Sequence, residues 1–168
     1  MTLDHTKRNG LKLADAKFLA NIDEYGWVVT TVFPRSDEGD YFAYSTGLFL
    51  RFKQPEVVMV GLSLETMQRI INTIGNQMKQ GVNFIPGQDY ADLLDGYSCQ
   101  FKVVDKSHYP ERFGWSSWFY EGDEYPTLQC FWPDKNGNYP WQPECSSGAA
   151  NLQPFLFLPL SSEGIRIQ

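Results

Sequence analysis

Apolar residues recur at helical spacing in two stretches of the chain. The first stripe consists of Ala14, Phe18, Ile22 and Tyr25 and predicts a helix that Gly26 ends. The second begins after Ser63, a favourable N-cap, and ends before Gly81. Its apolar stripe consists of Met67, Ile70, Ile71, Ile74 and Met78, with polar residues on the opposite face. This second pattern is the strongest helical signal in the chain.

Four other stretches have the residue patterns of β-strands. Trp27–Phe33 and Tyr41–Leu48 are rich in β-branched and aromatic residues, and we predict that they pair antiparallel. Gly47 near the end of the second strand indicates a bulge or a close backbone approach. Val57–Leu62 is almost wholly apolar, which is typical of a strand buried on both faces. Tyr97–Val104 alternates apolar and polar residues and predicts a half-exposed strand.

Leu128–Trp141 is the least average segment, with four aromatic residues and two prolines in fourteen positions. We interpret it as a hairpin: a strand to Trp132, a polar reversal through Asp134 and Gly137, and a return arm that ends at Trp141. Because proline cannot donate to a β-ladder, Pro140 limits the return arm to a brief strand or a sheet edge.

The remaining segments are predicted mostly as connections. Leu48–Gln54 is read as a connector, the stretch that contains Pro86, Gly87 and Gly96 as a loop, and Trp115–Tyr120 as a short helix. Residues 37–40 predict an exposed acidic loop, residues 1–12 are expected to fray, and residues 142–168 are expected to form a loop and a tail that covers the core.

Together these elements predict one α+β domain over residues 1–168. We expect a curved, mainly antiparallel sheet or partial barrel of five to six strands, with two or three helices packed against it.

Charge and cysteine content narrow the classes of partner and the compartment. The chain has 20 acidic and 14 basic residues and a formal charge of -6, which repels nucleic acid and anionic membranes. Its 3 cysteines include no CxxC pair, so neither a disulfide framework nor a zinc knuckle is indicated. The first residues include no apolar run of signal-peptide length. We therefore expect a cytoplasmic protein with reduced thiols and no nucleic-acid or membrane partner.

The common catalytic and metal-binding patterns are missing from the sequence. Only 2 histidines are present, and no phosphate-binding glycine loop or nucleophile elbow occurs. Asp134, Asn136 and Asn138 have the spacing of a calcium loop, but Tyr139 and Cys145 occupy its glycine and glutamate positions. We expect these residues to bind local backbone amides in a turn instead. The sequence thus favours a protein that is not an enzyme and holds no metal.

Polar residues inside the predicted strands are candidates for a ligand pocket, as are the tryptophans around the polar reversal. The candidate ligand- or partner-binding residues are Tyr44, Ser45, Thr46, Gln129, Trp132, Asp134 and Trp141. Hydroxyl and amide groups at such positions fix the orientation of a ligand, but threonine and tyrosine are also good strand formers. The two tryptophans could form an aromatic surface for a partner or close over a small core.

Three segments carry a resemblance to a known family. Phe42–Leu48 (FAYSTGL), Pro55–Leu62 (PEVVMVGL) and Leu128–Trp141 (LQCFWPDKNGNYPW) occur in the order found in a bacterial domain-of-unknown-function family numbered 4262. The chain resembles that family from about Ile22 to Trp141, including Gly26-Trp27 before the first strand. Gln54 stands where the family often has a histidine. The resemblance implies a fold unit and lends no activity.

Three functional hypotheses follow. The first is a non-catalytic protein-binding domain, such as an immunity-type protein that neutralises a basic toxin, which the acidic charge favours. The second is a domain that binds flavin or another small molecule, because the order of strands is similar to the opening of flavin-reductase-like split barrels. In that case Thr30, Thr31, Ser45 and Thr46 would lie near the ligand. The third is a hydrolase that uses Asp134 and Glu56 as paired carboxylates.

Overall fold

The computed structural model describes residues 13–34 and 39–160, and the predictions for residues 1–12, for the first half of the acidic loop at 37–40 and for the end of the tail lie outside this range. Its helices are α1 (Leu13–Tyr25), α2 (Leu48–Phe52), α3 (Leu64–Lys79), α4 (Tyr109–Arg112), α5 (Gly114–Phe119) and α6 (Ser147–Leu152). Its strands are β1 (Val28–Val32), β2 (Phe42–Thr46), β3 (Glu56–Val60), β4 (Tyr90–Leu94), β5 (Tyr97–Val103) and β6 (Thr127–Phe131).

The strands form one open, curved sheet in the order β1-β2-β3-β6-β5-β4. Every neighbouring pair is antiparallel except β3 and β6, which run parallel with Glu56 opposite Thr127. The predicted α+β fold with a mainly antiparallel sheet of five to six strands is therefore confirmed. The carboxyl ends of β3 and β6 therefore lie side by side at the same end of the sheet.

Helices cover both faces of the sheet. The apolar stripe of α3 packs on one face against Ala43, Val57 and Met59. Helices α1, α4 and α5 contribute to a second core on the other face, with Tyr44 and Val58 of the sheet. Alternate residues of β3 thus point into different cores, and all five residues of the strand are buried. The predicted burial of this strand on both faces is confirmed.

The α3 prediction is also confirmed at its first turn, where the Ser63 hydroxyl accepts a hydrogen bond from the Thr66 amide at 3.1 Å.

Four local predictions were wrong. Leu48–Gln54, predicted as a connector, contains helix α2. The loop predicted before Gly96 contains the edge strand β4. This strand buries only Leu93, so its sequence has no apolar pattern. No return arm follows β6, since the chain closes a tight turn at Asp134–Asn138 and turns again after Tyr139. Residues 142–153 contain α6, whose small residues carry no amphipathic stripe.

Candidate functional site

A buried carboxylate, Glu56, joins the start of β3 to the end of β2. The Ser45 hydroxyl donates to Glu56 Oε1 at 2.7 Å, and the Gly47 amide donates to Oε2 at 2.9 Å. In all, the carboxylate accepts from two hydroxyl groups and three backbone amides, those of Ser45, Tyr120, Gly47, Leu48 and Phe49. The three amides lie at the start of α2 and have no partner within that helix, so Glu56 satisfies them.

The environment of Glu56 has opposing effects on its protonation. Its burial in the core raises the pKa of the Glu56 carboxyl above the ordinary value, while the hydrogen bonds from Tyr120 and Ser45 act in the opposite direction. Glu56 is 1% exposed, and the five groups that donate hydrogen bonds to it are all parts of the protein. Glu56 therefore acts as an internal anchor between β2, β3, α2 and α5.

The other predicted residues of β2 also bind protein groups. The Thr46 hydroxyl lies 2.6 Å from the Ser116 hydroxyl, and the Tyr44 hydroxyl accepts from the Trp115 amide at 3.1 Å. Tyr44, Ser45 and Thr46 are each at most 2% exposed. The structure thus brings these three residues together beneath α5, whereas Thr30 and Thr31 lie half-buried on β1.

Two buried glutamines hold the tail beside β6. The side-chain amide of Gln129 donates to the Pro154 carbonyl at 2.8 Å and accepts from the Leu156 amide at 3.0 Å. Gln153 makes the same pair of bonds with the backbone of Trp132, at 2.8 and 3.0 Å. Each amide side chain replaces one step of a β-ladder, so the predicted return of the tail to the core is achieved without a strand.

Trp141 lies half-buried in an aromatic cluster. Its ring stacks on Tyr139 with 5.1 Å between centroids and meets Phe131 edge-on at 5.0 Å. The Lys102 ammonium lies 4.4 Å from the centre of the Trp141 ring and 4.6 Å from that of Phe157. This arrangement is a cation-π contact within the chain, so one face of Trp141 is already occupied.

Asp134 organises the turn after β6. Its carboxylate accepts from the backbone amides of Asn136 and Asn138 at 2.9 Å and of Ser146 at 2.8 Å. These bonds match the predicted turn chemistry and lower the pKa of the Asp134 carboxyl, with the Asn138 amide as the largest cause. In the described part of the chain, no three His, Cys, Asp or Glu side chains lie close enough together to hold a metal ion.

Replacing Asp134 with asparagine is expected to lower the stability at pH 7, because the new amide nitrogen would face backbone donors. The contribution of a carboxyl with a lowered pKa is present above its unfolded pKa of about 3.9 and is lost as the pH falls through the folded pKa. Urea unfolding at pH 7 and pH 3.5 should therefore show a smaller loss on acidification in Asp134→Asn than in the wild type. The exposed Asp95→Asn variant is the control, and identical pH profiles for Asp134→Asn and the wild type would contradict this role.

A cavity of about 590 Å³ opens at the carboxyl ends of β3 and β6. Trp132 and Asp134 line it after β6, Leu62 lines it after β3, and the β4–β5 hairpin and α6 form the remaining walls. The other lining residues are Leu94, Tyr97, Pro133, Lys135, Asn136, Ser146, Ala149 and Leu152. Its walls are mostly apolar, with a few polar groups at one side, which is the usual composition of a small-molecule site.

Close backbone packing at Gly61 and one indole hydrogen bond of Trp132 define two walls of this cavity. A side chain at Gly61 would come within 2.6 Å of the Leu152 carbonyl oxygen, so glycine there lets β3 approach α6. The Trp132 indole N–H donates to the Val60 carbonyl at 2.9 Å. This bond fixes the ring as one wall, and the ring itself is 8% exposed and part of the core, as one of the two sequence alternatives proposed.

Sequence reasoning found only two of the cavity residues, Trp132 and Asp134. It missed the walls from α6 and from the β4–β5 hairpin, because α6 and β4 carry no strong periodicity. The available signal was Gly61-Leu62 at the end of an apolar strand, since ligands of open α/β sheets bind beyond the carboxyl ends of parallel strands.

Glu56 and Asp134, the proposed carboxylate pair, are not brought together. Glu56 lies at the start of the parallel pair, opposite Thr127, whereas Asp134 follows the opposite end of β6.

None of the described helices combines the length and apolar character that crossing a membrane requires.

Comparison with known proteins identifies one family. No curated protein and no solved structure matched the chain. The model of the family described as "Domain of unknown function (DUF4262)" matches residues 21–146, which is more than half of the 168 residues. The matched range contains Glu56 with its five donors and the ends of β3 and β6 beside the cavity. Because the match covers more than half of the chain, the chain belongs to the DUF4262 family.

Proposed function

We propose that this protein binds a small, mainly apolar molecule in the cavity at the carboxyl ends of β3 and β6. The observation that carries the proposal is the cavity itself, a preformed apolar space of about 590 Å³ beyond the ends of the parallel pair. This volume lies within the range of known small-molecule sites, which is about 300 to 1,000 Å³. The proposal develops the small-molecule hypothesis. The flavin and basic-partner hypotheses stay predictions.

The polar cluster around Glu56 supports the fold and not the ligand in this proposal. Its hydroxyl groups already bind one another or the carboxylate, and Ser45 and Thr46 are fully buried. A ligand that reached Ser45 or Thr46 would have to break these hydrogen bonds, which costs free energy. A ligand in the cavity beside Trp132 would not have to break them.

Binding can be tested with 1-decanol as an uncharged apolar probe, followed by thermal shift and by the tryptophan fluorescence of the protein, to which Trp132 is one of 5 contributors. We expect saturable binding at one site, and the Leu152→Asp variant should bind about tenfold more weakly because it loses an apolar wall.

Ile85→Asp is the matched control, because Ile85 is 49% exposed and Leu152 is 50% exposed but only Leu152 lines the cavity. Equal binding by the two variants, or no saturable binding of 1-decanol by the wild type, would refute the proposal.

A further inference from the structure

Strand β1 lies at one edge of the sheet, and it is regular and uncharged. All five of its residues pair with β2 in one unbroken register, in which Thr30 lies opposite Tyr44. Residues 26–33 include no charged side chain, and β1 contains no proline or glycine. Native proteins usually protect a sheet edge with charges, proline or a bulge, and β1 has none of these protections.

The opposite edge of the sheet, β4, is protected in the usual way. In the middle of β4, Asp92 has a positive φ of 71°, and the register with β5 shifts between Tyr90 and Leu94. The exposed Asp92 also adds a negative charge to this edge. A strand with this shape and charge is a poor template for a further strand. The contrast between the two edges points to pairing at β1.

The backbone groups of Val29 and Thr31 point away from the sheet. The Gly61 amide donates to the Tyr41 carbonyl at 3.0 Å, so Tyr41 and every second residue after it bond to β3. The residues between them bond to β1, and Thr30 is the partner of one of them. Because the direction alternates along a strand, Val29 and Thr31 direct their N–H and C=O groups outward. No described strand pairs with them on that side.

Helix α1 lies over the same edge and exposes an apolar flank there. It packs on β1, while its Phe18 ring stacks on Trp115 of α5 with 4.5 Å between centroids. Since α5 packs on β2, the flank of α1 turned away from Phe18 faces the open edge. By helical periodicity that flank includes Leu13, Ala16 and Ala20, which are all exposed. Apolar residues of α1 thus extend the uncharged surface of the β1 edge.

We propose that two copies of this chain pair antiparallel through β1, about a twofold axis, so that their sheets join into one. With the axis at Thr30, the middle residue, Val29 lies opposite Thr31 of the second copy, and both direct their backbone groups across the contact. The axis is perpendicular to the sheet, so both α1 helices lie on the same face and their apolar flanks meet. Phe33, which is 68% exposed, comes opposite Trp27 of the second copy.

A second copy fits this surface better than a peptide of another protein. A peptide strand would bind the outward groups of β1 but would leave the α1 flank exposed. Specific interfaces bury at least roughly 1,000 Å², so the α1 flanks are needed in addition to the short strands. Because residues 26–33 are uncharged, pairing of the strands brings no like charges together despite the net charge of -6. None of the residues that line the apolar cavity belongs to α1 or β1, so the interface is separate from the proposed ligand site.

Sedimentation equilibrium of the full chain tests the proposal. The wild type should form dimers in a concentration-dependent way. Thr31→Pro removes one outward N–H from each copy and keeps the β1–β2 ladder, because proline is tolerated on an edge strand where its nitrogen faces solvent. It should raise the dissociation constant of the dimer at least about tenfold, since each dimer loses two hydrogen bonds. Thr31→Val keeps the N–H and the β-branched shape and is the matched control.

Ala20→Glu tests the α1 flank without touching a backbone hydrogen bond. Glutamates from both copies would meet across the axis, so the dimer should weaken about tenfold. Ala14→Glu is the control, since Ala14 is exposed on the flank of α1 that includes Phe18. Thermal unfolding of each variant checks that it is folded.

Three results would overturn the proposal. A wild type that stays monomeric would show that copies do not pair, and a strand of another protein would then be the occupant to test. Equal dimer formation by Thr31→Pro and Thr31→Val would exclude pairing through the β1 edge. Equal dimer formation by Ala20→Glu and Ala14→Glu would exclude the twofold arrangement, and this second pair decides if Thr31→Pro does not fold.

Discussion

Replacing Glu56 with glutamine is expected to lower the free energy of unfolding by about 2 to 3 kcal/mol at pH 7. The carboxylate accepts from five donors, and a glutamine can offer one oxygen while its own N–H groups would face other donors. The loss would free the first turn of α2 and separate Tyr120 of the α5 region from β3. Equilibrium urea unfolding measures the effect.

The effect of Glu56→Gln on the free energy of unfolding is expected to depend on pH. A carboxyl whose folded pKa is raised contributes stability that is complete below its unfolded pKa of about 4.3 and is lost as the pH rises through the folded pKa. A glutamine does not titrate, so the stability of the variant does not change in this way with pH. The difference in the free energy of unfolding between the wild type and Glu56→Gln should therefore be larger at pH 5 than at pH 8.

Glu144→Gln, at an exposed position, should change the free energy of unfolding by less than about 0.5 kcal/mol at either pH. A Glu56→Gln deficit that grows from pH 5 to pH 8 would show that the pKa of Glu56 is lowered and not raised.

Replacing Gly47 with alanine is expected to lower the free energy of unfolding by about 3 kcal/mol or more. Gly47 has a φ of 118°, and a Cβ there would lie 2.6 Å from the Gly26 carbonyl oxygen and 2.9 Å from Trp27 Cα. Both contacts are with backbone atoms, which cannot move aside as a flexible side chain can. The same residue donates its amide to Glu56, so a shift of the backbone would also weaken that bond.

Gly81→Ala is the matched control for the steric part of this effect. Gly81 has a φ of 95°, but a Cβ there would meet nothing within 4 Å. Gly81→Ala should lower the free energy of unfolding by about 1 to 2 kcal/mol, which is the cost of an alanine in the left-handed backbone conformation. Equal losses in the two variants would contradict a steric role for Gly47. The result would also test the sequence prediction of a close backbone approach at this glycine.

The patterns of single elements were sufficient to predict most of the sheet. Helix α3 has a continuous apolar stripe, and β3 is apolar throughout because both of its faces are covered. Periodicity reports the local environment of a residue, so elements that bury a whole face are readable. Strand β4 buries only Leu93, and α6 buries only Ala149, so neither has a pattern that distinguishes it from a loop.

The candidate site was predicted less well than the fold. Trp132 and Asp134 were chosen for their residue types and do line the cavity, but Ser45 and Thr46 were chosen on the same grounds and lie in the core. Whether a polar side chain faces a cavity or another protein group depends on what packs over it. For Thr46 that group is Ser116 of α5, 70 residues farther along the chain, and for Ser45 it is the carboxylate of Glu56.

The sequence by itself determined the α+β class, the main strands and helices, and the turn chemistry of Asp134, because these depend on spacing and on local hydrogen bonds. Only the tertiary structure decided that β6 lies parallel to β3, and with it the position of the cavity. Strand order depends on contacts between residues far apart in the chain, which local patterns do not encode. The same holds for Glu56, whose five donors come from two separate segments and whose role appears only when β2, α2 and Tyr120 converge on it.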